Sequence, residues 1–169
     1  MTALDILSDG FDRVREGVRE VADSLTTDQL DVRPAEDANS VAWLLWHTSR
    51  VQDAQMAALA GTPEVWTASG WADRFGLDLD PTETGYGHTQ EQVAAVRGVT
   101  SEQLVGYHEA TVERTREILA GMTEADLVRV IDESYDPPVT VGVRVLSILA
   151  DDLEHVGQAV FVRGMVEHA

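Results

Sequence analysis

The chain predicts an all-α fold, a four-helix bundle with a long insertion of loops and short helices between its second and third helices. Three observations carry this. Apolar residues recur at three- and four-residue spacing near the N-terminus without a break, two more periodic stretches are bracketed by cap and glycine signals, and the stretch Leu146 to Gly164 is apolar on nearly every side.

Taken in order, Leu4, Leu7, Phe11, Val14, Val18, Val21 and Leu25 define a long amphipathic first helix, and the loop-like DVRPAEDAN ends it, since the residue before Pro34 avoids helical dihedrals. Asn39 or Ser40 caps a second helix that runs to about Ala60 and is closed by Gly61. Trp43, Leu44, Val51, Ala54 and Ala58 share one face of it, with His47 in their midst. From Gly61 to Thr100 no long periodic run occurs. Short helices are expected at 65–75 and 90–97, and an insertion of this length with Trp66, Trp71, Tyr86 and His88 reads as a cap over a pocket or as packing between helices. Arg74 and His88 are its polar groups best suited to orient an anionic substrate. Thr100 and Gln103 form a capping box for a third helix ending near Ala120, which places His108 on its inner face as a reserve ligand. Met122–Leu127 reads as a turn or short helix. An extended connection follows, and Pro137-Pro138 forbids helix until the fourth begins near Thr140. In that helix Leu146, Leu149, Leu153, Val156 and Val160 make one stripe and Ile148, Ala159 and Val162 a second, so burial all round is expected.

At 169 residues the chain reads as one domain spanning 1–169. There is no cysteine, which removes disulfides, a cysteine nucleophile and thiolate ligands, and fits a cytoplasmic location. All twelve basic residues are arginine, so lysine Schiff-base chemistry is excluded as well. A net charge of −18 argues against nucleic acid and anionic membranes as partners. The N-terminus lacks the pattern of a signal peptide, and no apolar run reaches the length of a membrane span.

Asp151 and His155 lie four residues apart within the second stripe of the last helix, so their side chains can converge. An unpaired carboxylate on a buried face costs several kcal/mol, and a cation relieves that cost. With His47 from another buried face, the set offers two nitrogens and one oxygen. Three protein ligands leave coordination positions open, as catalytic zinc sites do, and nickel or iron(II) suits the same set. Asp152 competes with Asp151 for the carboxylate role. Asp151 is favoured because its wheel angle is nearer that of His155, and Asp152 is then assigned a supporting hydrogen bond.

The strings VAWLLWHTSRVQD, WADRFGL, GYGHT and ILADDLEHVGQAVFVRG resemble the DinB-like superfamily of metal-binding four-helix bundles, which includes mycothiol-dependent maleylpyruvate isomerase and other thiol S-transferases. The resemblance implies a divalent metal, zinc first, on His47, Asp151 and His155, and a homodimer. Family members usually carry His or Glu at the position of Asp151. The shorter aspartate draws the metal toward the fourth helix or lowers its affinity. The implied activity joins a low-molecular-weight thiol, mycothiol before bacillithiol, to a small electrophilic substrate, the metal holding the thiol as thiolate. A metal-dependent hydrolase and a non-catalytic, stress-related binding bundle are the alternative readings.

Overall fold

The computed structural model describes residues 1–167. Its four long helices are α1 (Ala3–Asp23), α3 (Val41–Ala60), α7 (Ser101–Ala120) and α9 (Val141–Val166), with α2 (Thr27–Leu30) following α1. The insertion carries α4 (Val65–Ala68), α5 (Trp71–Phe75) and α6 (Gln90–Ala95), and α8 (Glu124–Leu127) precedes strands β1 (Val130–Asp132) and β2 (Val139–Thr140). α1 and α3 each pack against both α7 and α9, so the helices stand in a ring and α3 and α9 are neighbours. An all-α bundle of the expected kind results.

The helix boundaries follow from local chemistry. Thr2, Ser40, Thr100 and Thr140 each accept a backbone N–H of the first turn of α1, α3, α7 and α9, and Thr2 and Thr100 complete reciprocal boxes with Asp5 and Gln103. Gly61 closes α3 at φ +65°, a left-handed position that favours glycine. The core takes Phe11, Val14 and Val18 of α1, Leu44 and Leu45 of α3, Leu104 of α7 and Val145 and Ile148 of α9.

Two expectations need correction. The last helix is not buried on every side: Leu146, Leu153 and Val160 are 58, 47 and 41% exposed, while Leu149 and Val156 of the same stripe are buried. In a ring of four, α9 has only two long neighbours, α1 and α3, and they cover a narrower arc than its apolar residues span. The connection after Arg129 is also more than extended chain, because β1 and β2 pair antiparallel with Val130 opposite Thr140 and Asp132 opposite Val139.

Candidate metal centre

His47, Asp151 and His155 meet between α3 and α9, each offering a ligand atom within 4.8 Å of the others. Asp151 Oδ2 lies 4.0 Å from His47 Nε2 and 3.6 Å from His155 Nδ1. The aspartate therefore reaches both imidazoles in spite of its short side chain. Neither ring is free to turn. His47 Nδ1 lies 2.5 Å from the Thr84 carbonyl oxygen, and His155 Nδ1 lies 2.8 Å from the carbonyl oxygen of Asp151. A carbonyl only accepts, so each Nδ1 carries a proton and Nε2 is the nitrogen left for an ion, the anchoring common around metal-binding histidines. Burial lowers the His47 pKa below the ordinary imidazole value, outweighing the opposite pull of the Thr84 carbonyl. A neutral imidazole is the form that binds a metal. Asp151 Oδ2 is itself buried and receives no hydrogen bond. A carboxylate oxygen without a hydrogen bond beside two imidazoles fits a divalent cation in the interior of a helical bundle.

His47 is held from behind as well. Trp43 stacks on it at 4.6 Å between ring centroids, and the His155 ring meets it edge-on at 4.6 Å. Gly85 presses on its other side: a Cβ at that position would stand 2.4 Å from His47 Nδ1, and the backbone there has φ +96°. Only glycine suits this contact. A cavity of about 420 Å³ opens beside the site, bounded by His47, Val51, Gln55, Tyr86, Ser147 and Asp151.

A buried ionic network positions the insertion that reaches this cavity. Arg50, one turn beyond His47, is fully buried and donates to the carbonyls of Glu83 (3.1 Å) and Pro81 (3.5 Å), to the Tyr107 hydroxyl (3.1 Å) and to the Glu64 carboxylate (2.8 Å). Asp53 accepts the backbone N–H groups of Val65 and Trp66 and the Tyr107 hydroxyl. Segments 64–66 and 81–84 are thereby fastened to α3, and the Thr84 carbonyl is set against His47. Most of the insertion is packing: Trp66 lies among Trp46, Phe75 and Tyr107, and its edge at Thr84–Tyr86 alone borders the cavity.

The other residues singled out from the sequence lie elsewhere. Arg74 is exposed and stacks over Trp71 at 4.6 Å. His88 has a buried side chain that accepts from Trp43 Nε1 at 3.2 Å and lies 3.3 Å from Glu83 Oε2, behind the site. The structure brings neither to the cavity wall. His108 is buried against Ser49 Oγ at 3.0 Å, outside the cluster. Asp152 points into the bundle, fully buried, with both carboxyl oxygens unpartnered, and burial beside Asp151 raises its pKa well above the ordinary carboxyl value. It makes no supporting hydrogen bond to the site. Gly85, the Thr84 carbonyl and the Arg50–Asp53 pair were not foreseen. The signals were present: a Gly-Tyr-Gly turn next to His88, and an Arg and an Asp three residues apart in a helix apolar on nearly all sides.

A helical bundle with a His–Asp–His cluster between two of its long helices could hold a metal ion there. Residues 10–159 match the model of the DinB superfamily, and the chain belongs to that superfamily. It is also similar to a conserved protein of Enterococcus faecalis known from a crystal structure, with 36% sequence identity, a TM-score of 0.93, and coverage of 100% of this chain and 99% of that one. No curated protein matches the chain. Among the described residues, no helix is long and apolar enough to cross a membrane.

Proposed function

We propose that this protein is a divalent-metal-dependent enzyme of the thiol S-transferase or isomerase type, with His47, Asp151 and His155 as metal ligands. The observation that carries the reading is the pairing of two imidazoles anchored through Nδ1 with an orphaned Asp151 oxygen at the edge of an open cavity. Zinc is the first choice for such a set, with nickel and iron(II) behind it. When bound, the ion supplies a Lewis-acid position that lowers the pKa of a low-molecular-weight thiol, mycothiol first, so that the thiol acts as nucleophile. His47 presents a neutral lone pair, and the Thr84 and Asp151 carbonyls hold the two rings in place. Gln55, Tyr86 and Ser147 line the space in which thiol and electrophile meet. No side chain of the protein has to form a covalent bond, which suits a chain without cysteine. Elemental analysis of untagged protein, followed by conjugation and hydrolysis assays on the zinc-loaded form, tests the reading. About one metal per chain with thiol conjugation upholds it, whereas ester or amide hydrolysis without thiol dependence replaces it with the hydrolase.

The outward face of α9 supports a homodimer as part of the proposal. Val143, Leu146, Ala150, Leu153, Gly157 and Val160 recur at alternating three- and four-residue spacing and are all exposed. That spacing suits the seam of a helix pair. A second copy presents the same uncharged seam about a twofold axis, and Ala150 and Gly157 allow close approach. Leu153→Glu should convert the dimer to monomer in sedimentation.

A further inference from the structure

The metal-side cavity has a neighbour along α3. A second hollow of about 460 Å³ shares Ala54 and Gln55 with it and continues along α3 toward the hairpin of β1 and β2. Arg129 and Arg144 stand on its wall, and Arg144 Nη1 leans across to Gln55 Oε1 at 3.5 Å. Among the described residues neither arginine makes a salt bridge, although the chain carries thirty acidic residues against twelve arginines. Asp132 lines the same hollow: its Oδ1 accepts the backbone N–H and hydroxyl of Ser134, at 2.9 and 2.6 Å, and its charge interacts with Arg144 without forming a salt bridge. Among the described residues Arg129 makes no side-chain hydrogen bond and Arg144 only the one to Gln55, so donors are left over in a concave site on a chain of net charge −18. A carboxylate matches that fork of donors.

We infer that the hollow walled by Arg129 and Arg144 is a carboxylate subsite of the metal-side cavity. Arg144 and Asp151 are seven residues apart on α9, roughly 10 Å along the helix axis. A ligand reacting beside His47, Asp151 and His155 thus carries its carboxylate about two helical turns away from the reacting atom. The subsite defines a substrate class, elongated and anionic at one end, and it rests on the proposed metal-dependent reaction. Either the thiol or the electrophile can bring the carboxylate.

Cobalt-loaded protein titrated with omega-mercaptooctanoate and with omega-mercaptooctanol, followed by sulfur-to-cobalt absorption, tests the first source. The acid should bind about tenfold more tightly or better, the size expected of a charge-assisted hydrogen-bond pair. The ratio should fall to about one in Arg129→Gln/Arg144→Gln. A second arm adds octanoate or octanol to the cobalt-free protein, with and without mercaptoethanol, and follows the arginine Nε–H resonances. Movement of the Arg129 and Arg144 signals with octanoate alone, together with equal thiol affinities in the first arm, assigns the carboxylate to the electrophile. Equal affinities and unmoved signals overturn the inference. Absence of any sulfur-to-cobalt band overturns the thiol chemistry instead, and the second arm still decides the subsite.

Discussion

His47 and His108 are both buried on long helices of the same bundle, and they teach opposite lessons. His47 Nδ1 is fixed by a carbonyl while Nε2 faces Asp151, His155 and a cavity. His108 Nδ1 meets the Ser49 hydroxyl, and its Nε2 is buried with no partner, so burial, with the nearby Arg15 charge, drives its pKa down to about 3. Burial strips the proton from either ring. A site arises only where the second nitrogen finds other donors and an opening to solvent.

Replacing the two histidines should have opposite effects. His47→Ala or His155→Ala should weaken zinc binding by more than about 100-fold in a competition titration, beyond the range typical for loss of a residue that only supports a ligand. His108→Ala should leave zinc affinity within about threefold. If the reverse is found, the cluster is not the metal site. Gly85→Ala ranks next: the added methyl must displace the His47 ring, and zinc affinity should fall about 10–100-fold with the fold intact by circular dichroism.

His108→Ala should instead cost about 2–4 kcal/mol in denaturant unfolding, the usual scale for emptying a core position. The pH dependence follows from its depressed pKa. The unfolded chain takes up a proton near pH 6.5, whereas the folded chain resists it until about pH 3, so the stability present above 6.5 is lost as pH falls through that window. His108→Gln should flatten the slope there by up to about 1.4 kcal/mol per pH unit. The smallest effect is expected at Arg74. Its stacking on Trp71 is exposed, so Arg74→Ala should change stability by only about 0.5–1 kcal/mol and leave zinc binding alone.

The long helices were legible because their signals are local: apolar spacing, a hydroxyl cap three residues before its N–H partner, a glycine or proline at the end. The convergence of Asp151 with His155 was legible for the same reason, since helical spacing dictates it. His47 could be placed on a buried face, and family resemblance named its partner helix. What stayed hidden depends on the path of the insertion. No periodicity relates Gly85 to His47, or the Thr84 carbonyl to that ring thirty-seven residues earlier, and nothing local tells that His88 turns behind Trp43. The exposure of the outward stripe of α9 is not legible, because periodicity identifies an apolar face without saying whether a neighbour covers it.

The buried Arg50–Asp53 pair has a consequence for the way an ion arrives. Segments 64–66 and 81–84 are tied to α3 by the protein's own charges and amides, so the carbonyl that orients His47 is in place before any metal is present. Capture then requires little ordering of the chain, unlike zinc fingers, whose folding waits for their ion. Loading should proceed with a small heat-capacity change, and stripping the ion should leave the bundle standing, ready to be refilled.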